Sequence, residues 1–420
     1  MSKHIGFVST RFAGTDGVTM EAGKWAHVLR QSGHECFWFA GMLDRTPERS
    51  FWVPEAFFGH EQNQWINDRI LGRRGREPLV TQKIQTMKLL IKTGLEDFIR
   101  QFSIDMLVCE NALTIPMHVP LGLALTELIA ERQVPTLAHH HDFYWERTRF
   151  SVNAVQDYLR MAFPPNLPNM EHVVINSSAQ EELALRTGIT SLIIPNVLDF
   201  ETPPEPSRRA YAEVRGRLGL DPDDIMILQP TRVVQRKGIE HAIELVRRLE
   251  DPCCKLVISH EAGDEGFEYA EWLKEDAQNQ GVDLRFIRTK VADPFNEMKN
   301  HAGALSLWDI YPHADFITYP SLYEGFGNAF LEAVYFSKPV LINRYSIFVR
   351  DIEPKGFDLV TMDGYLDRKT VVRVHEILHS PQRLKKMVAA NYAVASRHYS
   401  YATLRRWLNN ILINFFGIDT

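Results

Sequence analysis

Two glutamates flank a glycine turn in the segment EGFGNAFLE. Glu324 precedes the turn, and Glu332 lies about one helical turn inside a helix that we expect to begin near Asn328. The start of a helix presents free N–H groups and the positive end of the helix dipole, which together favour an anion. We therefore predict a phosphate site at this turn, with Glu332 able to reach back toward a ribose.

A basic turn follows another predicted strand, in the segment QPTRVVQRKG. Arg232 and Lys237 can clamp a diphosphate, Arg232 in a bidentate manner and Lys237 as a point charge. Such a pair would neutralise a phosphate leaving group without a metal ion. The alternative is an ordinary basic surface turn.

Three histidines and an aspartate end a third strand, in the segment PTLAHHHD. Strand alternation places His139 and His141 on one face and His140 on the other. A metal site is one interpretation, but no third ligand with suitable spacing is evident, and at least one histidine is expected to be structural. The aromatic and charged residues that follow are typical of a surface that holds a sugar ring and its hydroxyls. They include Tyr144, Trp145 and Arg147, next to Asp142.

The first predicted strand ends in a turn that contains Gly14, Gly17 and Val18. Small residues before a helix let backbone N–H groups approach a diphosphate closely, although a plain structural turn is the alternative. The spacing does not match the GxGxxG fingerprint, so a nicotinamide enzyme is not indicated.

The elements that carry these turns alternate as strand and helix, which is typical of parallel sheets covered by helices. We predict an α/β protein of two Rossmann-like domains in series, with ligands at the carboxyl ends of the strands. The predicted strands are 4–9, 35–39, 105–108, 136–140, 173–175, 225–229, 255–259, 284–287, 316–319 and 339–342. The predicted helices are 20–31, 121–130, 179–186, 238–249, 269–280, 329–336 and 401–416.

Three prolines in residues 199–208 predict an interdomain linker, with a long surface loop as the alternative. The domains are expected at 1–199 and 200–395, followed by a C-terminal helical segment, 396–420. The net charge of −6 indicates no general attraction to nucleic acid. A cluster of Arg69, Arg73, Arg74 and Arg76 is expected in a solvated loop, with an anionic acceptor or membrane surface as the alternative contact.

The four cysteines form no CxxC pair, and we expect all of them to be buried thiols. No apolar stretch reaches the about 20 residues that a membrane span needs, so a cytoplasmic protein is expected.

The segment from Glu324 to Glu332 resembles the E-x7-E signature of retaining GT-B glycosyltransferases of family 4. Arg232 and Lys237 match that family's GR…KG segment, except that Thr231 replaces a glycine. The turn at Gly14 resembles its N-terminal glycine loop, and PNVLD at 195–199 resembles its PNGVD segment, with Val197 replacing the glycine. YPHAD at 311–315 also resembles the stretch that precedes the family signature.

The resemblance implies a GT-B fold, in which two parallel sheets face an interdomain cleft and the C-terminal helix returns to the N-terminal domain. It implies a nucleotide-sugar donor held chiefly by the second domain and an acceptor held chiefly by the first. It assigns His141 and Glu324 to the donor sugar, Glu332 to the ribose and Arg232 with Lys237 to the diphosphate. The other expected donor contacts are Gly17, Val18, Gly325, Phe326, Gly327, Asn328 and Ala329, and the expected acceptor contacts are Asp142, Tyr144, Trp145 and Arg147.

The expected reaction is a retaining hexosyl transfer that needs no cofactor and no metal. UDP-glucose is the first choice of donor and GDP-mannose the second, and the acceptor is a small molecule, either anionic or neutral, or a carbohydrate. A non-catalytic binding protein of the same fold and a GT-B-like phosphorylase remain as alternatives.

Overall fold

A computed structural model describes residues 2–204, 211–259, 267–287 and 305–418. Contacts between residues divide the chain into two compact units. The first contains the described residues of Met1–Pro195 and Leu404–Thr420, and the second contains those of Asn196–Ala292 and His301–Thr403. Of the predicted linker, residues 205–208 lie outside the described part of the chain.

The first unit contains a parallel sheet to which seven of the described strands contribute, in the order β3-β2-β1-β4-β5-β6-β7. The order reverses between β1 and β4, which creates the crevice where such sheets bind ligands. The strands are β1 (His4–Val8), β2 (Glu35–Ala40), β3 (Ser50–Trp52), β4 (Met106–Glu110), β5 (Thr136–His140), β6 (Met170–Val174) and β7 (Leu192–Ile193).

Helices cover this sheet because each buries an apolar face against the strands. They are α1 (Gly17–Gln31), α2 (Glu61–Ile70), α3 (Pro78–Phe102), α4 (Val119–Arg132), α5 (Gln156–Ala162) and α6 (Ser177–Thr187). The long helix α3 was not among the predicted elements. It buries Ile84, Ile91 and Phe98, which repeat at helical spacing, in the core of the first unit.

The second unit repeats the plan with a parallel sheet in the order β10-β9-β8-β11-β12-β13. Its described strands are β8 (Ile225–Gln229), β9 (Cys254–Ile258), β10 (Leu284–Phe286), β11 (Phe316–Tyr319), β12 (Val340–Asn343) and β13 (Val360–Met362). Its described helices are α7 (Tyr211–Arg217), α8 (Ile239–Leu249), α9 (Glu268–Gln280), α10 (Leu307–Ile310), α11 (Asn328–Tyr335), α12 (Arg368–Leu378) and α13 (Pro381–His398). The predicted architecture of two Rossmann-like domains with parallel sheets is confirmed.

The last helix, α14 (Tyr401–Phe416), has the predicted bounds. From Leu404 onward its residues group with the first unit. Arg405 donates a hydrogen bond to Gln31 of α1 (2.9 Å), and the Lys3 ammonium lies 4.2 Å from the ring centre of Phe416. No helix in the described ranges combines the length and apolar character that crossing a bilayer requires.

Two smaller expectations need correction. Cys253 is exposed, because it lies in the turn before β9, whereas the other three cysteines are buried as expected. Arg69 lies on α2 rather than in a loop, where its guanidinium stacks 4.0 Å from the ring centre of Trp65. Arg76 is held by an ion pair with Asp157 (2.8 Å).

Candidate active site

The glycine turn of the second unit joins β11 to α11. Gly327 has φ +124°, and a Cβ there would lie 2.5 Å from the hydroxyl oxygen of Tyr345. That hydroxyl donates a 2.6 Å hydrogen bond to the Phe326 carbonyl and so fixes the turn. Because Gly327 is the N-cap residue and has no side chain, it places no cap over the first N–H groups of α11. This is the geometry that suits a phosphate group.

The basic turn of the second unit is tied to the loop that follows β11. The Leu322 N–H donates to the Arg236 carbonyl (2.8 Å), and the Arg236 guanidinium donates to the Tyr323 carbonyl (3.2 Å). These bonds bring Lys237 against Glu324, and the Lys237 ammonium donates a hydrogen bond to the Glu324 carboxylate. Both side chains are buried, with 7% and 8% exposed. Two residues assigned to different parts of the donor are therefore paired with each other.

The pairing sets the charge of both groups. Burial lowers the pKa of Lys237, and the neighbouring guanidinium of Arg236 adds to that effect, while Glu324 opposes it. Burial alone would raise the pKa of Glu324, but the charge and hydrogen bond of Lys237 outweigh it and lower that pKa. The site thus holds an ionised carboxylate against the amino group of Lys237 in a place from which water is largely excluded, where electrostatic interactions are strong.

The other glutamate of the signature, Glu332, lies on the first turns of α11. The hydroxyl of the buried Tyr311 donates a 2.9 Å hydrogen bond to its carboxylate. Asn328, the first residue of the helix, accepts a hydrogen bond from the Asn196 amide (2.7 Å). Asn196 belongs to the segment at 195–199 that resembles the family's PNGVD segment. Its hydrogen bond therefore joins that segment to the first residue of α11.

Thr231 stands where the family has glycine, and its hydroxyl is buried. It accepts a 2.8 Å hydrogen bond from the Gln229 amide, whose oxygen in turn accepts one from Thr318 (2.7 Å). The departure from the family pattern is therefore accommodated by polar partners at the ends of β8 and β11. The next residue, Arg232, is exposed.

Gly238 allows the basic turn to approach β11. It has φ +59°, and a Cβ there would lie 2.6 Å from the Pro320 carbonyl oxygen, a backbone atom. We expect Gly238→Ala to lower the free energy of unfolding by about 2 kcal/mol or more, since strain and clash add. Gly281→Ala is the matched control, because φ is +68° but the space is open. If chemical denaturation shows that both variants lose the same free energy of unfolding, the close approach of Gly238 to β11 would be contradicted.

The histidine segment of the first unit meets β4. Glu110, the last residue of β4, pairs in register with His139 of β5. Its Oε2 atom accepts hydrogen bonds from His139 Nδ1 (3.0 Å) and His141 Nε2 (3.2 Å). His140 points the other way, with its ring nitrogens 2.6 Å from the Thr114 hydroxyl and 3.0 Å from His172. The predicted alternation of the three side chains is thus observed.

Ligand atoms of Glu110, His139 and His141 lie within 4.8 Å of one another, so this part of the chain could hold a cation. Glu110 supplies the third group that the sequence did not reveal. However, His139 Nε2 is buried and has no hydrogen-bond partner within the described ranges, whereas a metal-bound histidine almost always donates its second N–H. The two hydrogen bonds to Glu110 account for the cluster, and we interpret it as a carboxylate with two imidazoles.

The pKa values of this cluster diverge. Burial lowers the pKa of His139 and that of His140. Burial acts on His141 in the same direction, but its hydrogen bond and charge interaction with Glu110 outweigh it and raise the pKa. Burial would raise the pKa of Glu110, yet the two imidazoles hold it well below its usual range. His141 is therefore the member of the cluster that favours the protonated form.

The predicted acceptor residues lie just beyond His141. Asp142 accepts hydrogen bonds from Asn111 (3.1 Å) and from Arg147. The Trp145 ring stacks on Phe143, with centres 4.4 Å apart, and the Arg186 guanidinium lies 5.3 Å from its centre. Trp145 is thus packed by its own neighbours. With Tyr144 it lines a cavity of about 700 Å³ beside α5 and α6.

The N-terminal glycine turn is ordered by two aspartates. The Gly14 N–H donates to Asp44 (2.9 Å), and Asp16 caps α1 by accepting from the Thr19 N–H (3.2 Å). Gly17 and Val18 are the first two residues of that helix. They therefore lie at a helix N-terminus, but the Asp16 carboxylate already caps that terminus, in contrast to the start of α11.

Four residues with roles in these sites were missed by sequence reasoning. Tyr311 and Tyr345 act through hydrogen bonds from other elements, which no local pattern reveals. Arg236 was read only as part of a basic run. Glu110 could have been found, because it is a charged residue at the end of an apolar strand. Such a residue is rarely buried without a partner, so its position predicts a partner nearby.

Comparisons with known proteins identify the family to which the chain belongs. The profile of the family "Glycosyl transferases group 1" matches residues 211–394. Mannosylglucosylglycerate synthase of Thermotoga maritima is 32% identical over 93% of this chain and 95% of its own. The Petrotoga mobilis enzyme of the same name is 30% identical, over 91% of this chain and 95% of its own.

Among solved structures, HepE of Anabaena, crystallised with UDP and glucose, superposes with a TM-score of 0.63. The identity is 16%, and the match covers 98% of this chain and 100% of that one. At that identity the likeness shows the fold, which is GT-B. Together with the two close relatives and the family profile, it shows that this chain belongs to the GT-B glycosyltransferases of family 4, the glycosyl transferases group 1.

Proposed function

We propose that this glycosyltransferase moves a hexose, with retention of configuration and without a metal ion, from a nucleotide diphosphate sugar to a small anionic acceptor. The observation that carries the proposal is the buried Lys237–Glu324 pair at the carboxyl end of β11, beside the uncapped start of α11. It offers a cation for a diphosphate and a carboxylate for a sugar in one water-poor place.

The donor contacts follow from this arrangement. The first N–H groups of α11 and the Lys237 ammonium would bind the diphosphate, and the exposed Arg232 would add a second cation. Glu332, oriented by Tyr311, would accept hydrogen bonds from the ribose hydroxyls. Glu324 would face the sugar, where an ionised carboxylate supports the positive charge that develops as the glycosidic bond breaks.

The relatives' names bear on the substrates. Mannosylglucosylglycerate contains a mannosyl group, a glucosyl group and the carboxylate of glycerate, so a synthase of it handles an anionic molecule. We propose the same class of product here, with glucosylglycerate as acceptor. This choice favours GDP-mannose over UDP-glucose as the donor.

Charge in the first unit supports an anionic acceptor. Arg147 and Arg149 are exposed beyond β5, and Asp142 orients Arg147. Guanidinium groups bind carboxylates in a bidentate manner. We propose that Arg147 contacts the acceptor carboxylate and that Asp142 positions it, whereas the packed ring of Trp145 contributes mainly to the shape of this region.

The proposed step breaks the bond between the anomeric carbon and the phosphate oxygen on the same face on which the acceptor hydroxyl attacks. The electron pair leaves with the diphosphate, whose charge Lys237 stabilises. The proton of the acceptor hydroxyl passes to the departing phosphate oxygen. The anomeric carbon therefore keeps its configuration.

A thermal-shift panel of GDP, UDP and ADP tests the donor assignment. A ligand at 100 times its dissociation constant stabilises a protein by about 2.7 kcal/mol, which is readily measured. We expect GDP to give the largest shift. A larger shift with UDP would return UDP-glucose to first place, and no shift with any of the three would contradict a nucleotide site.

Activity is expected to survive EDTA. Lys237, Arg232 and the start of α11 would do the work of a divalent ion at the leaving group. The measurement is the rate of nucleotide release with acceptor present, before and after exhaustive EDTA treatment. Loss of turnover that returns with Mg²⁺ or Mn²⁺ would contradict the metal-free mechanism.

A further inference from the structure

Glu110 is a buried carboxylate at the end of β4, with no exposed surface. A buried charge is costly unless it is paired and hydrogen-bonded. Glu110 uses a single oxygen, Oε2, to accept from both His139 and His141. Its other oxygen, Oε1, is buried and has no hydrogen-bond partner among the residues that the structure describes. The fold thus retains a carboxylate that is costly to bury. Within the described part of the chain, this carboxylate accepts its hydrogen bonds from two histidines.

The next residue, Asn111, holds the backbone of the same histidine. It adopts a left-handed conformation, with φ +57°, which is uncommon outside glycine. In this conformation the Asn111 side-chain oxygen accepts from the backbone N–H of His141 (3.1 Å). The backbone N–H of Asn111 donates to the His139 carbonyl (3.0 Å). His141 is therefore held from β4 at both its ring and its backbone.

Other side chains face this cluster from α1 and from β5 itself. Glu21 and Lys24 of α1 form a buried ion pair of 2.8 Å, and Glu21 acts on the charge of both His139 and His141. Trp25 of α1 stacks on His139, with ring centres 4.2 Å apart. From its own strand His141 meets His139 and His140, and Asp142 follows it. Of the carboxylates near His141, Glu110 is the one that accepts its ring N–H.

We propose that Glu110 is a positioning residue, which holds the His141 ring with Nε2–H turned inward and keeps it an imidazolium whose Nδ1–H can donate to the bound substrate. The inference rests on the proposed place of His141 beside the donor sugar. A carboxylate that accepts one imidazole N–H fixes which nitrogen faces the ligand and favours the protonated ring.

The charge of His141 gives the proposal a direction in pH. Because the pKa of His141 is raised, the imidazolium is present below that pKa and is lost as pH rises through it. Glu110→Gln keeps the shape but removes the charge that raises the pKa. The alkaline fall of kcat should then begin at lower pH, and kcat at pH 8 should drop about 10-fold or more, as second partners of functional histidines typically show.

The charge can be read without turnover. In protein labelled with ¹³C at histidine Cε1, the His141 resonance is the one that His141→Asn removes. In the parent protein, the pH midpoint of the titration of this resonance should lie above that of an ordinary histidine. In Glu110→Gln the midpoint should move to lower pH. The affinity for the nucleoside diphosphate should stay the same, since the second unit is proposed to bind it.

The matched control is Glu127→Gln on α4, which removes a carboxylate paired with Lys88 and Lys92 outside the cluster. It should change neither the pH profile nor the His141 midpoint. An unchanged His141 midpoint in Glu110→Gln would overturn the proposal. If Glu110→Gln does not fold, the titration midpoint of His141 in the parent protein still decides, since it must lie above that of an ordinary histidine, and a midpoint at or below that value would overturn the proposal.

Purified protein that carries one zinc per chain, lost in Glu110→Gln, would instead assign the cluster to a metal and overturn the positioning role. Absence of turnover with every donor would count against the proposed function. The resonance of His141 would still decide the role of Glu110.

Discussion

Replacing Lys237 by methionine is expected to lower kcat roughly 100-fold, which corresponds to about 3 kcal/mol of lost transition-state stabilisation. The ammonium is buried beside the glycine turn, so its charge would act on the proposed leaving diphosphate with little screening by water. Affinity for the bare nucleoside should change little, because the proposed partner of Lys237 is the diphosphate.

The pair with Glu324 complicates this result, since Lys237→Met also leaves a buried carboxylate without its strongest partner. The same substitution in a Glu324→Gln background removes that complication and gives the coupling between the two residues. A further large loss in that background is expected if Lys237 acts on the phosphate directly. If no further loss occurs, Lys237 acts only by keeping Glu324 ionised.

Lys255→Met is the matched control, because Lys255 lies near the opposite, amino-terminal end of the sheet, next to Asp224 and Asp283. It should leave kcat within about twofold of the parent, as surface substitutions away from a site generally do. Parent-like turnover in Lys237→Met would place the lysine outside the site.

The two glutamates of the signature are expected to fail in different ways. Glu324→Gln should lower kcat roughly 100-fold, since its charge supports a cation that exists only near the transition state. Affinity for the nucleoside diphosphate should be kept, because the substitution also releases Lys237 from its present partner.

Glu332→Gln should mainly weaken binding of donor and nucleotide. A hydrogen bond to a charged group contributes about 1.5–3 kcal/mol, so the dissociation constant should rise roughly 10- to 100-fold. Calorimetric titration of the diphosphate beside steady-state rates separates the two roles. Glu353→Gln serves as the control, because it removes the charge of a carboxylate that pairs with Arg344 at the surface. A reversed pattern would mean that the donor lies the other way round.

Local patterns were enough to predict the elements that carry the site. The bounds of β8 and β11 agree with the prediction, and α11 begins at Asn328, near which the helix was expected to begin. The short apolar strands and the glycine turns determine these boundaries through interactions within a few residues. The histidine alternation at 139–141 was predictable for the same reason.

Contacts between distant segments were not predictable. Lys237 and Glu324 are 87 residues apart and meet because Gly238 allows the backbones of two loops to approach. Glu110 meets His141 across neighbouring strands. The helix α3 had a readable apolar period, but exposed apolar residues such as Leu89 and Leu90 blur its polar face.

The anomeric configuration of the product distinguishes retaining, metal-free hexosyl transfer from the alternatives. EDTA-treated enzyme would be incubated with GDP-mannose and glucosylglycerate, with UDP-glucose as the alternative donor, and the one-bond coupling at the new anomeric carbon would be measured by NMR. We expect a disaccharide product in which the anomeric carbon keeps the configuration that it has in the donor. An inverted product, or no product from either donor without a metal ion, would contradict it.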